Sequence, residues 1–442
     1  MRRQNSQLLA LLVPCLWVCV HCEARAQSHA ERAALAGELV TLKHHKVLRL
    51  FGSEDRERGF AHGYLLAEQV LECLDDALQS LPQFTVEKFE TRLLPWATRR
   101  LVWDAGAVQE LDGLFEGLQA RLGEKGLIAP ALGRAITRDD LFAINAVADW
   151  FGPACSAFSA CGTKTEAGQV IHGRNLDFPL GPRAIGRQVI LAQAALPARG
   201  KPGAPDARAA RKAWAGVGWP GLICVFSAMN ADGLVCCLHD ATNVIKGGEH
   251  EGFIARGLLL RRILESLDPA AGDPAAAAAK LAAVRPAACG NLFHLSWPKL
   301  AAEKWQLKPS AALEFDGSGR EPNGTPVNIR RMDDSDALVL TNHYCVRRPA
   351  VECERFSKIS AGILAFSKNG TRIDLAAARQ ILIGGEQQPP LATTAHTLVF
   401  FPDRRGLLVA LTRGNIQSTR VVGAEFEFEE LQGNAKGGVE KR

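Results

Sequence analysis

Apolar residues recur every three and four positions over 57–80, 86–101, 106–121 and 139–149, the period of helices with one buried face. Pro82 and Pro95 act as breakers, so residues 28–150 read as mainly helical. Asp149-Trp150-Phe151-Gly152-Pro153-Ala154 ends that part, because Gly-Pro does not continue a helix. The pattern then changes. Residues 155–178 read as a hairpin, 187–196 as a strand and the Pro-, Gly- and Arg-rich 197–212 as an exposed loop. A second hairpin joins 221–229 to 234–239 through Asn230-Ala231-Asp232-Gly233. Helices are expected over 253–266, 274–284, 356–366 and 375–381, and strands over 337–344, 397–401, 406–412 and the alternating 421–431. Residues 433–442 read as a disordered tail, and no internal repeat is visible.

Chemistry concentrates in the first hairpin. Small and apolar residues from Cys155 to Cys161 reach a polar turn at Thr165-Glu166-Ala167-Gly168, and a β-branched run returns to Gly173-Arg174-Asn175-Leu176-Asp177-Phe178. A turn centred on Glu166 places Cys155 across from Asp177, with Arg174 close by. Thiol, carboxylate and cation together suit nucleophilic catalysis. An apolar hairpin with a buried cysteine and a structural ion pair fits the same pattern. A cysteine attacks only as thiolate or with a base beside it, and no histidine sits in an obvious partnering motif. Cutting the Ala154–Cys155 bond would free an α-amine of ordinary pKa about 7.7–8.0, able to take the thiol proton and return it to a leaving amine. Asp177 would then orient the ammonium, and Arg174 would lower the thiol pKa or bind an anionic part of a substrate. Cys161 lies six residues on, on the same strand face, but gains no such amine. His172 and Asn175 read as structural.

The chain opens with a basic Met1-Arg2-Arg3, an apolar stretch at 8–20 too short to span a bilayer, and Ala24-Arg25-Ala26. This reads as a secretory signal peptide over 1–26, and the expected location is exported, periplasmic or secreted. No later segment is apolar enough to span a membrane. Three of the twelve cysteines fall in the leader. The remaining nine, an odd number, leave at least one free thiol in an oxidising compartment. Cys345 and Cys353 are close enough in sequence for a loop disulfide, although spacing does not decide pairing. With no C-x-x-C pair and scattered histidines, neither a zinc site nor a cofactor is expected. A net charge of +5 without a basic, aromatic-interleaved patch argues against nucleic acid as a partner.

Cys155-Ser-Ala-Phe followed by Gly168-x-x-x-His172-Gly173-Arg174-Asn175-x-Asp177-Phe178 resembles the nucleophile hairpin of N-terminal-nucleophile (Ntn) hydrolases. It is most similar to the acyl-CoA:6-aminopenicillanate acyltransferase family (peptidase family C45), with acid ceramidase, N-acylethanolamine acid amidase and choloylglycine hydrolases as more distant kin. Pro220-Gly221 with Met229-Asn230-x-x-Gly233-Leu234, and Thr341-Asn342 with Glu354-Arg355-Phe356, extend the likeness. Ala228 stands where a Gly is usual and Cys353 near where Ser is common. Arg58-Gly59-Phe60-Ala61-His62-Gly63 matches faintly and reads better as a helix start packed through small residues.

The resemblance implies an α+β fold, an αββα four-layer sandwich over 155–432, preceded by a helical segment 27–154 that self-cleavage between Ala154 and Cys155 releases as a fragment that stays bound. It implies Cys155 as nucleophile, Asp177 and Arg174 beside it, Asn342 and Asn230 as oxyanion donors, and Arg355 in the pocket wall, binding substrate. The expected activity is hydrolysis or acyl transfer at a small linear amide through a Cys155 thioester. A non-catalytic exported binding or envelope protein on the same scaffold is the alternative.

Overall fold

The computed structural model describes residues 27–80, 85–150, 152, 154–200, 208–241, 252–284, 287, 289–317, 326–348, 351–387 and 393–433. The expected leader at 1–26, nearly all of the tail and part of the 197–212 loop lie outside them.

Two antiparallel-rich sheets form the centre of the α+β architecture. In one, the strands run in the order Gly37–Leu42, His45–Leu50, Val189–Gln193, Trp214–Gly218, Ser227–Asn230, Val235–Asp240, Asn291–Ser296, Ser310–Phe315, Asn328–Arg331. Only the pairing of His45–Leu50 with Val189–Gln193 is parallel. The other sheet runs Ala337–Leu340, Ala154–Ala160, Ile171–Phe178, Thr393–Phe401, Gly406–Leu411, Ala424–Glu427. Val47, Ile190, Val217 and Met229 of the first sheet interdigitate with Leu398, Phe400, Leu407 and Val409 of the second. The first sheet's outer face is covered by helices that include Asp55–Leu65, Ala67–Ser80, Ala105–Gly126 and Arg256–Ser266. The second sheet's outer face is covered by Glu354–Lys368 and Leu375–Ile383. These are the four layers expected, αββα.

The amino-terminal part differs from the helical reading. Gly37–Leu42 and His45–Leu50 form a hairpin through Lys43 and His44, both at positive φ (46° and 67°), a turn whose twist suits paired strands. The segment ahead of Cys155 therefore belongs to the large sheet as well as to the helical layer. The expected helix over 57–80 breaks at Leu66, while Pro95 does not break its helix: it follows directly on the π-turn Phe89–Leu93 in a continuous helical run from Val86 to Arg99. Gly59 and Gly63 do pack closely: a Cβ at Gly59 would lie 1.9 Å from the Glu110 carbonyl oxygen of the facing helix. The alternating 421–431 stretch is only half strand; Phe428–Gln432 turns helical.

Candidate active site

Cys155 lies in Ala154–Ala160, which pairs with Ile171–Phe178 as the hairpin reading requires, but one residue out of the expected register. Cys155 faces Leu176, and Asp177 faces Ala154. The connection is not a tight turn on Glu166. It is two short 3₁₀ turns, Gly162–Lys164 and Glu166–Gly168, with Ala167 and Gly168 at φ 53° and 68°. A slip of one residue in an antiparallel pair moves a side chain to the opposite face. The Asp177 carboxylate and the Cys155 thiol thus sit on different sides of the strand, and Asp177 does not face the thiol.

On the thiol's side, Cys155 Sγ lies 3.4 Å from the Leu238 carbonyl oxygen, which also accepts a bond from Arg174 Nη2 at 2.6 Å. Arg174 Nε donates to Ser227 Oγ, while its Nη1 has no partner among the described residues. Both residues are fully buried. Burial pushes the Cys155 thiol up to about 11, against the pull of the Arg174 guanidinium. Histidines share this interior, but their bonded ring nitrogens serve other groups: His172 meets Ser296, His294 meets Ser159 and Ser310, and His396 meets Ser227 and Gln188. Neither ring nitrogen of His239 has a hydrogen-bond partner among the described residues.

The backbone of Cys155 is held from the other side. The neighbouring strand, Ala337–Leu340, stops pairing at Leu340, opposite Ala157. Where its next pairing would fall, the Asn342 side chain takes over: Cys155 N–H donates to Asn342 Oδ1 at 2.8 Å. Arg355, on the first turn of Glu354–Lys368, binds the same Oδ1 through Nη2 (2.7 Å). Its Nη1 binds both the Cys155 carbonyl oxygen and Asp177 Oδ2, each at 3.0 Å. Thr394 Oγ1 donates to Asp177 Oδ1 at 2.6 Å. Burial raises the Asp177 carboxyl to about 6, with the Arg355 guanidinium opposing. Arg355 therefore clasps the backbone of Cys155 and the Asn342 and Asp177 side chains. Asn342 is an acceptor for the Cys155 nitrogen; its Nδ2 is engaged with the Asp240 carbonyl oxygen at 2.7 Å.

Asn230 does not join this cluster. Its Oδ1 accepts from Asp232 and Leu234 N–H and its Nδ2 donates to the Leu264 and Leu267 carbonyls, so it ties the second hairpin's turn to the end of the Arg256–Ser266 helix. Cys161 is also elsewhere, against Met332 and Asp336. Asn175 bonds Leu382 and Thr397, tying strand to helix.

Three residues that sequence reasoning did not single out hold the segment just ahead of Cys155. Asp240 pairs with the buried Arg256 at 2.6 Å, and a Cβ on Gly152 would fall about 2 Å from the Asp240 carboxylate. Asp149 accepts from the Arg256 N–H at the start of Arg256–Ser266. An acidic residue closing a buried strand, as Asp240 does, was the available signal. Past Leu176 on the thiol's face, Phe178 lines a small, nearly all-apolar cavity of about 50 Å³ together with Val70, Leu74, Ala77, Trp219 and Leu222. Phe178 is two residues beyond Leu176, about 7 Å along the strand. Among the described residues, no group of three or more His, Cys, Asp or Glu could hold a metal ion, and no helix is long and apolar enough to cross a membrane.

No family model matches the chain, and no curated protein matches it. Among solved structures, an N-acylethanolamine-hydrolyzing acid amidase ortholog of Caenorhabditis elegans is similar at TM-score 0.35 and 14% identity, over 56% of this chain and 93% of that one. A mutant conjugated bile acid hydrolase from Clostridium perfringens reaches TM-score 0.40 at 14% identity, over 63% and 94%. Penicillin V acylase from Agrobacterium tumefaciens gives 0.38 at 14%, over 59% and 84%. A likeness this slight says nothing by itself about what the chain does.

Proposed function

We propose that the protein is a self-processing Ntn-type cysteine amidohydrolase or acyltransferase, akin to peptidase family C45, in which Cys155 becomes the first residue of its own catalytic fragment. The observation that carries this reading is the bond from Cys155 N–H to Asn342 Oδ1. A strand amide ordinarily joins the backbone ladder; this one is received by a side chain that Arg355 in turn fixes, at the atom that would become the free amine.

The steps follow from that placement. The Cys155 thiol attacks the Ala154 carbonyl, the peptide bond shifts to a thioester, and water releases the Ala154 carboxylate and the Cys155 amine. In turnover the amine takes the thiol proton, the thiolate adds to a substrate amide carbonyl, and the protonated amine gives its proton to the departing amine. Water or an acceptor amine then resolves the thioester. Arg174 Nη1, a cationic donor on the thiol's face, is suited to the oxyanion. Because Cys155 is fully buried, the uncut chain offers substrate no access to the thiol. Because His45–Leu50 lies within the nine-stranded sheet, a released 27–154 fragment would stay bound to 155–432. The leader at 1–26 supports export.

The apolar cavity beyond Phe178 supports an apolar acyl group as the part of the substrate nearest the thiol. A panel of acyl amides graded in chain length tests this, with Cys155→Ala as the inactive control. Ala77→Phe, which fills the cavity, should raise KM at least tenfold for the longest acyl chain and leave the shortest nearly unchanged. Equal effects across the panel would place the acyl group elsewhere.

A further inference from the structure

Beside the Asn342–Arg355 clasp sits a second thiol centre that the steps above do not use. His343, the residue after Asn342, has the sulfurs of Cys345 and Cys353 beside its imidazole, and both favour its protonated form. Thr341 Oγ1 lies 3.0 Å from His343 Nδ1 and 3.4 Å from Cys353 Sγ. Cys353 is also the N-cap residue of Glu354–Lys368, fifteen residues long, so it stands at the positive end of that helix. Cys353 and Cys345 are each partly exposed, unlike Cys155, Cys161, Cys224, Cys236, Cys237 and Cys289.

The charge states agree with the geometry. The His343 bond brings the Cys353 thiol down to about 6, and its bonds to the two thiols bring His343 up to about 9. Both shifts favour the thiolate–imidazolium form, which reacts with electrophiles and peroxides.

We propose that Cys353 is an oxidation site, activated by His343 and resolved by Cys345, whose disulfide tightens the segment that carries Asn342 and Arg355. With hydrogen peroxide as oxidant, the Cys353 thiolate attacks one peroxide oxygen, giving a sulfenic acid and hydroxide. The Cys345 thiol then displaces the sulfenate oxygen, which leaves as water once protonated, and the Cys345–Cys353 bond forms. Two thiols are oxidised by two electrons and one peroxide is reduced. A thiol reductant reverses the change.

The test reads thiols, not turnover, so its failure is separate from failure of the amidase reading. The full chain at pH 7 is treated with limiting iodoacetamide and mapped by peptide mass. Cys353 should be alkylated at least tenfold faster than Cys345 or the half-buried Cys73, whose thiol burial pushes up to about 12. His343→Asn should remove that advantage. One equivalent of hydrogen peroxide should give a Cys345–Cys353 linked peptide, and in Cys345→Ser a dimedone adduct on Cys353 instead. Cys353 labelling no faster than Cys73, or peroxide producing no linked peptide while oxidising Cys353 further, overturns the proposal.

Discussion

Arg355→Ala is expected to lower kcat by about a hundredfold to a thousandfold, about 2.7–4 kcal/mol in the transition state. One guanidinium bonds the Cys155 carbonyl, the Asn342 side chain that holds the Cys155 nitrogen, and the Asp177 carboxylate. Removing it leaves Asp177, with no exposed surface, without its cation, and truncating one partner of a buried pair typically costs about 3–5 kcal/mol. Asp177 is already raised to about 6 by burial; without Arg355 it would be neutral at pH 7 and the clasp would open. Arg355→Lys keeps the charge but does not offer the planar fork that reaches three acceptors, so it should recover only part of the rate. Steady-state kinetics on one neutral and one anionic acyl amide separate the two roles. A raised KM with kcat intact, most for the anionic substrate, would return Arg355 to the pocket wall, where sequence reasoning put it.

The second large effect is on stability in acid. An unfolded histidine takes up its proton near pH 6.5. Burial lowers His45 and His62 to about 4 and His172 to about 3, and holds His239, His294 and His396 well below the ordinary value. Below pH 6.5 the unfolded chain therefore binds protons that the folded chain refuses. Stability falls as pH drops, each group approaching about 1.4 kcal/mol per pH unit. Asp149 and Asp177 oppose this. Raised to about 6, they bind protons in the folded state before the unfolded one, from pH 6 down to the ordinary carboxylate range. Six groups against two leave a net loss of up to about 5 kcal/mol per pH unit, enough to consume the usual 5–15 kcal/mol within a few units. Urea unfolding at a series of pH values from 8 down to 4 should show a plateau to about 6.5 and a steep loss between 6 and 4. His239→Leu, at a ring without hydrogen bonds among the described residues, should reduce that slope. A flat profile from pH 7 to 4 would mean that these rings are protonated where they lie.

Those histidines also explain part of what the sequence concealed. The strands Asn291–Ser296 and Ser310–Phe315 carry His294, Ser296, Ser310 and Glu314 in buried positions, so their hydrophobic alternation is broken and no strand was expected there. Local chemistry was easier to read. The hairpin itself and the gathering of Arg174, Asp177, Asn342 and Arg355 near Cys155 follow from short-range pattern or motif resemblance, although Asp177 meets Arg355 and not the thiol. The register was not readable, because an αL residue at Ala167 and two 3₁₀ turns count differently from a simple turn. Asn230 was misjudged because turn asparagines and site asparagines share the same flanking glycine. Asp240 escaped because its importance comes from Gly152, Arg256 and Asn342, each far from it in sequence or on another element.

The central claim is that Cys155 works as an amino-terminal residue, and the mass of the purified full-length chain tests it most directly. After incubation at neutral pH, intact-mass analysis and amino-terminal sequencing should show a new terminus at Cys155 and a partner fragment ending at Ala154. The two should co-elute under native conditions and separate in denaturant, while Cys155→Ala stays one chain. A protein that hydrolyses amides while wholly uncut, or that is cut at another bond, would contradict the account.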